Sequence, residues 1–227
     1  MTPSLQRVAG LCGLASVGLL VGNLSLTAEG PRPNRNAAAE TARILADSDA
    51  IRLSAVLGVL GAITFAGFAL ALALMIRDQR PHAALGVAAA ASIYCALALT
   101  SFAALAASAQ AADTGLEAAA VMGFGHLHST TLLIAFAPLG GVLIGLAASG
   151  LFGRVATWSA ITVGSCAILS VLTLFSVKLD EGPFGAPLVV AFLGIPVWML
   201  IISARLLWKP TRLHAAALHL KETSQRF

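Results

Sequence analysis

The stretch SAVLGVLGAITFAGFALALALMI, from Ser54 to Ile76, contains no charged side chain. A helix needs roughly 20 predominantly apolar residues to cross the hydrocarbon core of a bilayer, and this stretch is long enough. The whole chain shows the same bias, since 58% of its residues are hydrophobic and 11% are charged, whereas a soluble domain usually carries about 25% charged residues. The composition therefore predicts an all-α, polytopic membrane protein.

Six apolar runs are long enough to span a bilayer, so the sequence predicts a six-transmembrane-helix bundle that forms one membrane domain over residues 1–227. The first run is expected to be a retained helix, because Leu26 stands where a signal-peptide cleavage site after Ala28 needs a small residue. The predicted spans lie near residues 6–27, 50–76, 83–109, 119–149, 154–177 and 186–208.

The connection over residues 28–49 is the long outer loop of this arrangement. Its second part, AAAETARILADSD, predicts a short helix with Asn36 as the N-cap. Ile44 and Leu45 would then rest on the membrane surface or cover the outer mouth of the bundle; a simple connector is the alternative. The tail 209–227 mixes basic and apolar residues and is predicted to be a basic amphipathic helix along the inner leaflet.

Lysine and arginine residues set the predicted orientation. With the N-terminus inside, nine of them fall on inner segments and five on outer segments, and eight of the ten acidic residues fall outside. The positive-inside rule then predicts that the protein lies in the cell membrane with both termini in the cytoplasm. The net charge of +4 is explained by this orientation, and no nucleic-acid partner is expected.

Small residues at helical spacing predict where the spans pack, because helices in lipid gain nothing from hiding leucine. The candidates are Gly18 and Gly22 in the first span and the ladder Gly141, Gly145, Ser149 and Gly153 in the fourth. A stripe of hydroxyl and thiol side chains follows one face of the fifth span: Ser159, Thr162, Cys166, Ser170, Thr173 and Ser176. Such side chains bond to a neighbouring helix, to their own backbone, or to water in a cavity. Gly194 and Pro196 predict a kink in the last span.

The fourth span places His126 and His128 in an apolar run. Two positions on a helix differ by about 200°, so the two rings point to nearly opposite sides and cannot chelate one metal ion together. Ionisable side chains inside a membrane indicate function by default, although a structural histidine satisfied by hydrogen bonds is the alternative. His126 shares a face with Ser129 and Thr130, and this polar face is expected to point into the bundle.

A polar partner for His126 is expected from another span, and the candidates are Asp49, Ser170 and Thr173. Several charged residues lie on the same outer side, so a compact bundle would gather them around a polar vestibule; the alternative is that acids simply occur in outer loops. These residues are Asp47, Asp49, Arg52, Asp113, Glu117, Lys178, Asp180 and Glu181.

Motifs that would indicate a known chemistry are not found in the sequence. There is no HExxH, phosphate-binding loop, GxSxG or dinucleotide fingerprint. Cys12, Cys95 and Cys166 are far apart in apolar runs, which makes disulfides and a cysteine metal site unexpected. No histidines on separate spans are placed to ligate haem, so neither a metal nor a cofactor is expected.

The stretch ASGLFGRVATWSAITVGSCAILSVL, Ala148 to Leu172, resembles a bacterial family of six-helix integral membrane proteins that carry a domain of unknown function. Members often have a Ser-Gly-Leu turn followed by an arginine and a tryptophan, which correspond here to Ser149, Gly150, Leu151, Arg154 and Trp158. Members often have proline before the arginine, where this chain has Gly153. The stretch PFGAPLVVAFLGIPVWMLIISARLL is similar to the family's last span. The resemblance implies a six-helix bundle and supplies no activity.

Three functional hypotheses remain at this point. The first is a protein that binds a small apolar or amphipathic molecule, or a partner membrane protein's helix, among membrane lipids, with His126, His128, Thr130, Ser170 and Thr173 as ligand-binding candidates. The second is an intramembrane enzyme that acts on a lipid or isoprenoid, with His126, Asp49, Glu117 and Asp180 as acid–base candidates. The third is a small transporter, which needs a water-accessible path through both leaflets.

Overall fold

The computed structural model describes residues 3–26, 36–175 and 185–208, and all regular structure within these ranges is helical. The α-helices are α1 (Pro3–Leu26), α2 (Ala37–Ala46), α3 (Ser48–Ile76), α4 (Pro81–Asp113), α5 (Ala118–Ala148), α6 (Arg154–Ser170) and α7 (Gly185–Trp208), and a 3-10 turn, Val171–Phe175, continues α6. All of them except α2 are long and apolar enough to cross a membrane. The predicted six-helix membrane bundle with a short loop helix is therefore confirmed.

The six spanning helices form a closed ring in chain order. Each packs against the spanning helix before it and the one after it, and α7 returns to pack against α1. We call the end of the bundle where α1 begins and α7 ends the terminal face, and the opposite end, which carries α2, the α2 face. The tail 209–227 and the predicted amphipathic helix within it lie outside the described residues.

Large apolar side chains cover the outside of the ring. Leu11, Leu85 and Val155 are more than half exposed, and a soluble protein rarely leaves many such side chains facing water. Trp158 and Trp208 are also exposed and lie toward the terminal face, a position typical of the tryptophan belt at a membrane–water interface. The outer surface is thus suited to lipid.

Helix α2 covers part of the α2 face, where it packs against α4 and α5. The Asn36 side chain accepts a hydrogen bond from the Ala38 backbone N–H at 2.9 Å, which confirms it as the N-cap. Ile44 is fully buried against the bundle, whereas Leu45 is half exposed. Arg43 holds the buried Glu40 in an ion pair. The loop helix is a cover and not a simple connector, and only Ile44 of the two expected apolar residues enters the core.

Glycines mark the closest approaches between helices. A Cβ built on Gly145 of α5 would lie 2.7 Å from a methyl carbon of Val87 on α4, and one on Gly164 of α6 would lie 2.9 Å from the Gly140 carbonyl oxygen of α5. On α1, a Cβ on Gly10 would lie 2.7 Å from the Leu207 side chain of α7. These three sites hold the ring together at its α4–α5, α5–α6 and α1–α7 contacts.

Two of the predicted small-residue contacts are wrong. Gly18 and Gly153 have no atom of another residue within 4 Å of a built Cβ, and Gly18 faces outward. A GxxxG pair permits close approach of another helix but does not require it. On α1, residues nearer the terminal face make the close contact with α7.

Three residues of the stripe on α6 bond to their own backbone. Ser159, Ser170 and Thr173 each donate to a carbonyl three residues earlier on their own chain, at 2.7 to 3.0 Å. The sequence allowed bonds to a neighbouring helix, to the residue's own backbone or to water, and these three residues bond to their own backbone. Ser176 lies outside the described residues. Gly194 of the last span contacts the buried Val163 of α6, and α7 continues as a helix through Pro196.

Replacement of Gly145 by leucine should lower the free energy of unfolding by roughly 1–3 kcal/mol, because overpacking pushes two backbones apart. Val87 is fully buried and β-branched, so it cannot rotate away cheaply. Thermal unfolding in detergent measures the effect. Gly123→Leu, on the same helix with open space at its Cβ, is the matched control. Equal unfolding temperatures for the two variants would show that the Gly145 contact does not hold the helices together.

Candidate functional site

A cavity of about 130 Å³ lies inside the ring. Its lining comes from α1, α3, α4, α5 and α7, so it lies where five helices face one another across the centre. Above and below it the ring is filled by two clusters of buried side chains, one around Phe68, Leu143 and Ile202 and the other around Phe102 and Ile44. The cavity is therefore a gap between two packed layers.

Aromatic side chains dominate the cavity wall. Four of the ten phenylalanines of the chain and its single tyrosine line it: Phe65, Phe102, Phe136, Phe192 and Tyr94. Tyr94 and Phe65 meet edge to face, with ring centroids 4.8 Å apart. The remaining lining is almost entirely aliphatic, and no charged side chain of the described residues takes part.

Three polar side chains also line the cavity. Asn23 of α1 donates from Nδ2 to the Ser54 carbonyl at 2.6 Å and contacts the Ser54 hydroxyl at 2.8 Å. Ser16 of α1 donates to the Gly61 carbonyl at 3.1 Å. Both contacts join α1 to α3. The third is Tyr94, whose hydroxyl has no hydrogen-bond partner among the described residues.

His126 does not point into the bundle. Its side chain is exposed on the outer surface of α5, and within the described ranges no polar atom of another helix bonds to it. Ser129, on the same face, donates to the Gly125 carbonyl of its own helix at 3.1 Å, and Thr130 is exposed. The interior placement of His126 was therefore wrong: the face that it shares with Ser129 and Thr130 points outward.

His128 is the histidine that enters the bundle, where it joins α5 to α4. Its Nδ1 lies 2.9 Å from the Ser101 carbonyl oxygen, and the Ser101 hydroxyl donates to the His128 carbonyl at 2.9 Å. Because a carbonyl oxygen only accepts hydrogen bonds, the geometry assigns a proton to Nδ1, which donates to it; the Ser101 hydroxyl oxygen also lies 2.8 Å from Nδ1. The His128 ring also packs against Phe102, with centroids 5.8 Å apart. His128 and Ser101 thus each bond to the other's backbone carbonyl and link α5 to α4.

The acidic candidates are not gathered around a vestibule with His126. The Asp49 side chain is 99% exposed, and Glu117 is exposed at the start of α5. Arg52 of α3 pairs with Asp49 one turn earlier, at 3.6 Å, and binds Asp113 and Gln110 of α4, so these three charged residues meet in an ion-pair network that links α3 to α4 and leaves His126 out. Lys178, Asp180 and Glu181 lie outside the described residues.

The remaining candidates do not meet at one site either. Ser170 and Thr173 are buried and bonded to their own backbone, so neither is the partner expected for His126. The described residues contain no cluster of three histidine, cysteine or acidic side chains that could hold a metal ion.

The family model for a domain of unknown function, DUF4386, matches residues 8–203, which is most of the chain. The chain belongs to the DUF4386 family. The comparisons with curated proteins and with solved structures found no match. Membership of DUF4386 agrees with the resemblance seen in the sequence and assigns no activity.

In this DUF4386 protein, sequence reasoning missed the residues that form the cavity. Tyr94 could have been singled out from the sequence, since it is the only tyrosine of the chain and lies in mid-span. Asn23 carried one too, as an amide within an apolar run. Ser101 carried none, because an isolated serine in a span bonds to its own helix as often as to another.

The two histidines of the DUF4386 chain provide a matched test of the α4–α5 link. His128→Leu should lower the free energy of unfolding by about 1–2 kcal/mol, since it removes hydrogen bonds between buried groups. His126→Leu, two residues away on the exposed face, should change it by less than about 0.5 kcal/mol. Thermal unfolding of both variants in the same detergent measures the difference. Equal losses would contradict the structural role of His128.

Proposed function

We propose that this protein binds a small apolar or amphipathic molecule, dissolved in the membrane, in the cavity at the centre of the ring. The aromatic cavity between two well-packed layers is the single observation that carries the proposal. A gap in a packed interior costs stability. A ligand that fills it recovers the lost contacts, so a gap of this size favours binding.

The size of the cavity limits the ligand. A cavity of about 150 Å³ lined by leucine, isoleucine and phenylalanine stays dry and binds benzene, and the present cavity measures about 130 Å³. It therefore accommodates one six-membered ring or a short alkyl segment. A whole lipid or a haem does not fit, so any larger ligand must leave its remaining part outside the ring.

The ligand is expected to enter the cavity from the lipid between α1 and α7. Leu24 of α1 and Phe192 of α7 both line the cavity, and each is 39% exposed. The rest of the bundle thus covers these two side chains only in part. The tight contact at Gly10 lies nearer the terminal face, so the two helices can separate beside the cavity without breaking that contact.

The enzyme hypothesis receives no support from the described residues. An acid–base mechanism needs a titratable group within hydrogen-bonding reach of the bound molecule. The described acid–base candidates, His126, Asp49 and Glu117, are exposed away from the cavity lining. A transporter would need polar groups along a path through both leaflets, whereas this lining is apolar.

Photolabelling tests the binding proposal. A pentylbenzene that carries a diazirine should label cavity residues, and excess pentylbenzene should suppress that labelling. Leu132→Trp fills the cavity, so the suppressible labelling should fall about tenfold, equivalent to about 1.4 kcal/mol of binding free energy. Leu127→Trp makes the same change on the exposed face of α5 and should leave it unchanged. Labelling that Leu132→Trp does not reduce would contradict the proposal.

We also propose that the protein lies in a bacterial cell membrane with both termini in the cytoplasm. The described part of the chain supports this with five exposed arginines toward the terminal face, against Arg43 and Arg52 toward the α2 face. The five are Arg7, Arg77, Arg80, Arg154 and Arg205. Basic residues are retained on the cytoplasmic side.

A reporter enzyme that is active only in the cytoplasm tests the orientation. Fusion after Phe227 should give activity, and insertion into residues 28–35 should not. Immunoblots of both fusions control for the amount of protein. A silent C-terminal fusion together with an active insertion, at matched protein levels, would reverse the orientation.

A further inference from the structure

The cavity wall is suited to a flat ring more than to an alkyl chain. Aromatic side chains reach it from α3, α4, α5 and α7, so a bound ring meets other rings from several directions. Aromatic pairs in offset or edge-to-face arrangements gain affinity beyond their buried area. Tyr94 and Phe65 already stand edge to face, which fixes the orientation of one part of the wall.

Tyr94 supplies a hydrogen-bond donor at this wall. Tyr94 is half-buried, and its hydroxyl has no hydrogen-bond partner within the described ranges. It is also not among the sealed polar atoms, which in the described residues include Gln6 Oε1 and Ser203 Oγ. Space for another atom therefore remains beside it. The ring of Tyr94 packs against both core clusters, and the cavity is the described space that this side chain borders.

The other two polar side chains do not offer a comparable donor. The Ser16 hydroxyl proton is engaged by the Gly61 carbonyl, and the Asn23 amide is engaged by Ser54. The polar group of the ligand is therefore expected to bind the Tyr94 hydroxyl. A group that only accepts hydrogen bonds, such as a carbonyl oxygen, satisfies it without leaving a new donor unpaired in an apolar wall.

From this geometry we infer that the ligand is a planar ring bearing a carbonyl oxygen, that the ring packs among the phenylalanines, and that the Tyr94 hydroxyl donates to the carbonyl. This inference rests on the proposed binding function and specifies its ligand class. Any alkyl substituent of such a ring would pass between Leu24 and Phe192 into the surrounding lipid.

Three competitors of similar size distinguish the contributions of the ring and the carbonyl: propyl benzoate, pentylbenzene and propyl cyclohexanecarboxylate. Each is titrated against the diazirine probe with the full-length protein in detergent. Propyl benzoate should compete about three- to tenfold better than pentylbenzene, the range of one net hydrogen bond. It should also compete better than its saturated counterpart, which has the carbonyl and lacks the planar ring.

Tyr94→Phe keeps the ring that packs against Phe65 and removes only the hydroxyl. It should abolish the preference for propyl benzoate over pentylbenzene while pentylbenzene still competes. Thr100→Val, which removes a hydroxyl bonded to its own helix on α4, is the matched control and should retain the preference.

The outcomes separate the two proposals. If either pentylbenzene or the saturated ester matches propyl benzoate in the wild-type protein, or if Tyr94→Phe keeps the preference, the inference about the ligand is wrong and the binding proposal stands. If none of the three competes with the probe, the binding proposal itself fails, and this inference fails with it.

Discussion

The ring depends on close backbone approach at glycine, because two helices surrounded by lipid gain no hydrophobic free energy when they meet. What they gain is dispersion contact, which falls steeply with distance. Gly145 against Val87 and Gly140 against Gly164 bring α5 within reach of both its neighbours. In the middle of the ring, side chains fill the space on both sides of the cavity and leave a gap where α1, α3, α4, α5 and α7 face one another.

Polar side chains in this protein mostly avoid the interfaces between helices. Serine and threonine hydroxyls along the spans donate chiefly to carbonyls three or four residues earlier, which costs nothing in interhelical geometry. Among the described residues, polar contacts that cross from one helix to another are spread around the ring, and they include Ser16 to the Gly61 carbonyl, Asn23 to Ser54, Arg52 to Asp113, His128 to Ser101, and Trp198 to the Ala156 carbonyl. Each fixes the rotation of one helix against its neighbour, which apolar packing alone specifies weakly.

The sequence sufficed for the spans, the loop helix and part of the packing, since span length, caps and small residues are local properties. Ile44 and Gly145 were correctly expected at contacts. The choice between His126 and His128 failed, because both faces of α5 carry hydroxyls and their polarity does not reveal which one is satisfied by its own backbone. Thr130 is exposed on the same outer face as His126. The cavity could not be predicted from the sequence, since its wall comes from five helices whose relative rotation no local pattern specifies.

The order of the helices around the ring has a consequence for biosynthesis. Since every spanning helix packs beside its predecessor in the chain, each can dock as it leaves the translocon, and sequence separation between partners stays short up to α6. The contact between α1 and α7 is the exception, as it joins the first span to the last. Until α7 arrives, α1 and α6 each lack one of the neighbours that they have in the complete ring. The cavity therefore gains its α7 wall only after that helix has been made, and a chain that stops before α7 lacks Phe192, Ile195, Pro196 and Met199 of the lining.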